Sequence, residues 1–147
     1  SVLEFFNHHH ATTTGNDDCH IILRGGKTTN YDAQSVEAAA AESVKSGIRP
    51  TIMVDASHAN SSKKPENQPM VLGEVGNQLA AGDNRIMGVM VESNLVAGRQ
   101  DLVAGQPLVY GQSITDGCID WPTTEAALEK LAASVAERRR VSGQLVA

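Results

Sequence analysis

Apolar residues fall into two regimes along this chain. Continuous runs at 19–24 (CHIILR), 51–56 (TIMVDA) and 85–91 (RIMGVMV) read as strands, whereas the stretches between them carry apolar positions at helical spacing. A helix is expected at about 33–46, with Asp32 as its N-cap, Val36, Ala40 and Val44 on one face, and Gly47 as its stop. A second is expected at about 69–81, with Val71, Val75 and Leu79 inward and Gly82 ending it. Gly73 and Gly76 weaken that helix by roughly 1 kcal/mol each relative to alanine, so packing must hold it. Residues 93–122 read as a long irregular segment. A closing helix at about 124–140 starts from a threonine cap with Leu128, Leu131 and Val135 inward. The order strand–helix–strand–helix–strand predicts right-handed crossovers and three adjacent parallel strands.

The three strands are apolar throughout, as expected when both faces of a sheet are buried. Three strands with two helices cannot achieve that, and they leave two open edges. The pattern therefore predicts an α/β fold that is part of a larger closed structure. A (β/α)8 TIM barrel needs about 250 residues, and three of its eight units are visible here. Residues 1–18 stand apart: SVLEFF is compatible with a strand or a piece of helix, and HHHATTTGNDD reads as loop. His8, His9 and His10 could chelate a metal ion, although a bare histidine triplet more often binds none.

Composition narrows the partners. Aromatics are only 3% of the 147 residues, so the core must be built from Val, Ile, Leu, Met and Ala. A formal net charge of −5 argues against nucleic acid, which selects a basic face. Arg138, Arg139 and Arg140 form a basic run, read as a solvated cap at a helix C-terminus. Two cysteines, Cys19 and Cys118, are too few for a disulfide framework, which implies reduced thiols and a cytoplasmic setting. No apolar stretch approaches the ~18 residues of a membrane span, and SVLEFFNHHH lacks the features of a signal peptide.

Three chemically able residues close the three strand runs: Arg24, His58 and Glu92, at successive intervals of 34 residues. LRGG, DASHA and VESN share no sequence, so the interval reflects a repeated strand-plus-helix unit rather than a helical repeat. Side chains at the carboxyl ends of parallel strands converge, which points to one active site. The Arg24 guanidinium suits phosphate or carboxylate, and Gly25-Gly26 would let the backbone approach an anion; a surface arginine before a turn is the alternative. The window Asp55 to Lys63 is dense in functional groups. His58 could ligate a metal or move a proton, and Lys63 reads more readily as a solvated lysine than as a phosphate ligand. Glu92 ends an apolar strand and needs a cation or metal to meet it. With Asp116 in SITDGC, His58 and Glu92 form a plausible nitrogen/oxygen site for a divalent ion. Cys19 and His20 are neighbours on an expected strand, one toward the core and one toward a barrel interior, so they cannot share an ion. Cys118 is expected to be buried.

The segments GNDDCHIILRGG, NYD, MVDASHANSSK, GVMVESNLVAGRQ, YGQSITDGCIDW and the closing ERRR resemble class I 3-deoxy-D-arabino-heptulosonate 7-phosphate (DAHP) synthases, in order and spacing, from Gly15 to Val141. The resemblance implies a (β/α)8 barrel condensing phosphoenolpyruvate with erythrose 4-phosphate at the entry to aromatic amino acid biosynthesis. Residues 19–147 would be its C-terminal part, about the last three βα units, and residues 1–18 a poorly matched N-terminal segment. By the same resemblance Arg24 binds the phosphate of phosphoenolpyruvate, and His58 is a metal ligand close to that substrate. Glu92 and Asp116 are the two carboxylate ligands. The implied divalent ion (manganese, iron, cobalt or zinc) polarises the aldehyde, C3 of phosphoenolpyruvate attacks it, water adds at C2, and phosphate leaves by C–O cleavage.

The family's fourth ligand is a cysteine on an early strand, and neither Cys19 nor Cys118 takes that position. The other cations of both phosphate sites also belong to the earlier half. The 147 residues alone are thus expected to be inactive or nearly so, requiring the N-terminal half of the barrel or a homo-oligomer. Two further readings compete: a related synthase using arabinose 5-phosphate, and a non-catalytic, self-associating barrel fragment.

Overall fold

The structure, a computed structural model, describes residues 14–16 and 18–143. The expectations for SVLEFF and for His8, His9 and His10 lie outside the described residues. In order come strand β1 (Ile21–Leu23), helix α1 (Ala33–Lys45), strand β2 (Ile52–Asp55), a single 3₁₀ turn (Pro65–Asn67) and helix α2 (Gln68–Ala80). Strands β3 (Ile86–Met90), β4 (Val96–Arg99) and β5 (Gln112–Ser113) precede helix α3 (Trp121–Val141).

The sheet order is β1-β2-β3, with both pairs parallel, as the alternation of strands and helices requires. Ile52 and Val54 of the central strand are fully buried and join Leu23, Ile86 and Val36 in one core with Val71, Val75 and Leu79 of α2. Complete burial of such side chains contributes roughly 1.5–3 kcal/mol each, which is what holds the helices on this face. As expected of three strands with two helices, one face of the sheet is left open: Ile22, Met87 (54% exposed) and Met90 are exposed. The helices supply their buried faces to one side of the sheet only.

Helix α1 begins as expected, with the Asp32 carboxylate accepting from the Ser35 backbone N–H at 2.9 Å. Its inward face differs, because Val36, Ala40 and Ser43 are buried while Val44 is 62% exposed. Ser43 tolerates burial by donating its hydroxyl to the Ala39 carbonyl at 3.0 Å. Helix α3 starts earlier than expected. Asp120, not a threonine, is the N-cap, accepting from Thr123 N–H at 3.0 Å, with Pro122 in the first turn. Thr124, Ala127 and Leu131 face inward, and Leu128 is 49% exposed.

Helix α3 packs mainly on α2, and Gly76 is where they meet: a Cβ there would lie 3.0 Å from Ser134 Oγ. Arg138 is not merely a solvated cap. Its guanidinium donates to the carbonyls of Asp83 (3.3 Å) and Ile86 (3.0 Å), tying the end of α3 to the start of β3. The segment expected to be irregular contains the parallel pair β4-β5, with further bridges between Ser93 and Ile119 and between Gly98 and Cys118. Cys19 and His20 precede β1 and are exposed, so neither faces a core; Cys118 is only partly buried.

Candidate functional site

Arg24 follows β1 directly, His58 lies just beyond β2, and Glu92 just beyond β3. Because the strands are parallel, all three emerge at the same, carboxyl-terminal end of the sheet. Asp116 comes from the segment between β5 and α3. His58, Glu92 and Asp116 each offer a ligand atom, and these atoms lie within 4.8 Å of one another. Arg24 and Lys63 line the same cavity of about 310 Å³. Lys63, expected to be simply solvated, is exposed and also faces this space. A larger groove of about 680 Å³ runs between α2 and α3, but its lining is mostly small and apolar and holds no His, Cys, Asp or Glu.

The loop after β2 has a demanding geometry. His58, Ser62 and Lys63 all have positive φ (49°, 56° and 59°), which costs an L-residue roughly 1–2 kcal/mol each. Buried Asn60 over-determines the turn. Its amide donates to the carbonyls of Leu23 (3.1 Å) and Asp55 (2.8 Å), and its Oδ1 accepts from Asn30 N–H (2.8 Å). Asn30 in turn accepts from Gly25 N–H at 2.7 Å. Gly25 adopts φ +73°, and a Cβ there would lie 2.8 Å from the Ala59 Cβ. The glycine expected to make room for an anion therefore makes room for the His58 loop.

Asp55, at the end of β2, is fully buried and accepts from Ser57 N–H (2.8 Å) and Ser57 Oγ (2.5 Å). Its other oxygen lies 2.7 Å from His58 Nδ1. An ionised carboxylate only accepts, so Nδ1 carries a proton, and in the neutral ring Nε2 is the nitrogen left with a lone pair. That nitrogen is 3.8 Å from Glu92 Oε1. Burial pushes the Glu92 carboxyl above its usual value, and the Asp116 and Asp55 carboxylates add to this against the opposing pull of His58 and Arg24. A cation between the acidic groups would relieve that repulsion.

Glu92 is also held through its backbone. The fully buried Gln68 accepts from Glu92 N–H (2.9 Å) and donates to the Glu92 carbonyl (3.1 Å). The sequence reading passed over Gln68, since a polar residue at a helix start is unremarked without knowledge of its burial.

Fold and site together define a class: a parallel α/β protein with a candidate divalent-metal centre beside two cations able to hold an anion. The chain belongs to the DAHP synthetase I family, whose sequence model matches residues 4–129. It is 52% identical over 143 residues to the phospho-2-dehydro-3-deoxyheptonate aldolase of Haemophilus influenzae, covering 97% of this chain and 40% of that protein. To the Phe-sensitive phospho-2-dehydro-3-deoxyheptonate aldolase of Escherichia coli K12 it is 49% identical over 139 residues, covering 95% of this chain and 40% of that one. The solved phospho-2-dehydro-3-deoxyheptonate aldolase of Francisella tularensis superposes with a TM-score of 0.82 at 44% identity, covering 86% of this chain and 37% of that chain. The chain thus spans about 40% of the length of the curated relatives it matches. Among the described residues no helix is long and apolar enough to cross a membrane.

Proposed function

We propose that this chain is the C-terminal portion of a DAHP synthase barrel, residues 19–147 forming its last three βα units. In this reading it supplies half of a site that condenses phosphoenolpyruvate with erythrose 4-phosphate. The observation that carries it is the convergence of His58, Glu92 and Asp116 within 4.8 Å, in a cavity shared with Arg24. Matches confined to about 40% of the relatives' length support the partial barrel. So does the open sheet face at Ile22, Met87 and Met90, which preceding strands or a second copy would cover.

The donor set of one imidazole nitrogen and two carboxylates fits a borderline divalent ion such as manganese, iron, cobalt or zinc. When bound, such an ion supplies Lewis acidity toward an aldehyde oxygen. Asp55 keeps His58 in the tautomer that leaves Nε2 free. Arg24 offers a planar fork to a phosphate, with Lys63 as a second positive charge across the cavity. The seven-carbon heptonate in the relatives' names favours erythrose 4-phosphate over the five-carbon arabinose 5-phosphate as co-substrate.

Calorimetric titration with Mn²⁺ tests the centre. Glu92→Gln should weaken binding by at least tenfold, and unchanged affinity would remove Glu92 from the site. Phosphoenolpyruvate consumption with erythrose 4-phosphate and Mn²⁺ tests the partial barrel: negligible turnover is expected of the 147 residues alone, and turnover near that of a whole relative would refute it. Light scattering separates the two ways of covering the sheet, since a compact monomer excludes self-association.

A further inference from the structure

We propose that Gln68 is a positioning residue that sets the geometry of the His58–Glu92–Asp116 centre by clamping the backbone of Glu92. The inference rests on the metal-site reading above.

Gln68 opens α2 and is 0% exposed. A buried primary amide is costly unless both of its ends are paired. Here both ends are spent on one residue, since Oε1 takes the Glu92 N–H at 2.9 Å and Nε2 gives to the Glu92 carbonyl at 3.1 Å. That is the hydrogen-bond exchange of a strand neighbour, supplied by a side chain where the pairing with β2 has ended. The paired register of β2 with β3 ends at Asp55 and Met90, and the Ala56 N–H to the Met90 carbonyl (2.9 Å) follows it. Glu92 lies two residues further along, beyond the ladder.

The clamped peptide is also the junction with the third ligand's segment. The Glu92 carbonyl accepts from Ile119 N–H at 3.0 Å, and the Ile119 carbonyl accepts from Asn94 N–H at 3.0 Å. Ile119 stands three residues after Asp116. On its other side Gln68 ends the stretch that begins at His58, where Asn67 donates to the Ser61 carbonyl at 3.0 Å. Gln68 thus holds the Glu92 strand end directly, while its neighbour Asn67 ties the same turn to the His58 loop and the clamped Glu92 carbonyl joins the Asp116 segment through Ile119. Donor geometry governs affinity for a transition metal, so loss of the clamp should register in the metal even where the fold survives.

The test uses the full 147-residue chain, with Mn²⁺ for affinity and Co²⁺ for its visible absorption. Gln68→Met keeps length and removes both hydrogen bonds. The folded variant is expected to bind Mn²⁺ at least tenfold more weakly and to show an altered Co²⁺ spectrum. Leu79→Ala, a core change in the same helix away from the site, should lose stability but keep the wild-type Co²⁺ spectrum. Wild-type affinity and spectrum in Gln68→Met would overturn the proposal. If that variant does not fold, Zn²⁺ titration of the wild-type chain by NMR decides. The Gln68 side-chain amide should shift together with the Glu92 backbone amide, and a Gln68 amide that stays still while His58 shifts would overturn it. Failure of the metal reading looks different, because Mn²⁺ binding would then be absent or indifferent to Glu92→Gln.

Discussion

Replacing Gly25 with alanine should destabilise the chain by about 2–5 kcal/mol, whereas the same change at adjacent Gly26 should stay within about 0.5 kcal/mol of the parent. The two glycines look equivalent in sequence but not in space. Gly25 has φ +73°, and its missing Cβ would sit 2.8 Å from the Ala59 Cβ and 3.0 Å from the Asn60 backbone nitrogen. The left-handed backbone contributes roughly 1–2 kcal/mol for an L-residue. Forcing a methyl into occupied space, against backbone rather than a yielding side-chain tip, contributes roughly 1–3 kcal/mol more. Gly26 lacks the left-handed conformation and has nothing within 4 Å of its Cβ position. Urea denaturation followed by far-UV circular dichroism reads both variants, with the midpoint shift interpreted at constant slope. Equal midpoints for the two variants, or a Gly25→Ala protein as stable as the parent, would refute the claim that this glycine exists to admit the His58 loop.

Further expectations concern the site, the helices and acid stability. Asp55→Asn should weaken Mn²⁺ binding by about 10–100-fold, the usual loss when the carboxylate behind a ligating histidine is removed; titration calorimetry with unchanged affinity would show that His58 needs no such partner. Gly73→Ala should stabilise α2 by about 0.5–1 kcal/mol through helix propensity, since its Cβ position is open. Gly76→Ala should gain less, because its Cβ meets Ser134 Oγ at 3.0 Å, and equal thermal shifts for both would contradict the close packing of α2 on α3. Burial alone would raise the Asp83 carboxyl, but hydrogen bonds and charge from Arg85 bring it below its ordinary value of 3.8. A depressed carboxylate stabilises the fold above its unfolded value and ceases to do so as pH falls through the folded one. Asp83→Asn should therefore lessen the loss of stability on acidification below about pH 4, and an unchanged acid profile in urea melts would exclude the pair as a contributor.

The candidate site residues were legible in sequence while the parts that hold them were not, for a physical reason. Arg24, His58 and Glu92 sit where apolar runs stop, and a strand end is a local property of the chain. Helix faces were less legible. Spacings of three and four fit the same periodicity, and only the hydroxyl of Ser43 bonding to the Ala39 carbonyl lets a serine take the buried place assigned to Val44. The start of α3 was recoverable from Asp120 followed by Pro122, a cap-and-first-turn signature that outweighs the later threonines. The β4-β5 pair and its bridges join residues more than a dozen positions apart without strong alternation, so no window along the chain shows them.

Gln68 and Asn60 are the furthest from view. Each is an amide among polar neighbours in sequence, and each is buried only because backbone from another element arrives to pair with it. The apolar strands show the same dependence in reverse. Ile22, Met87 and Met90 have the composition of buried residues, yet they remain exposed among the described residues, which the proposed partial barrel would explain. Burial is a property of the assembled surroundings, so a sequence can state the requirement without containing what meets it. Purifying the chain at rising concentration should show this directly. If a hydrophobic dye binds the chain strongly, the uncovered face is accessible, and added copies or a preceding barrel half should suppress that signal. A chain that binds no dye as a dilute monomer would mean that these three side chains need no cover, and the partial-barrel reading would lose its support from the sheet.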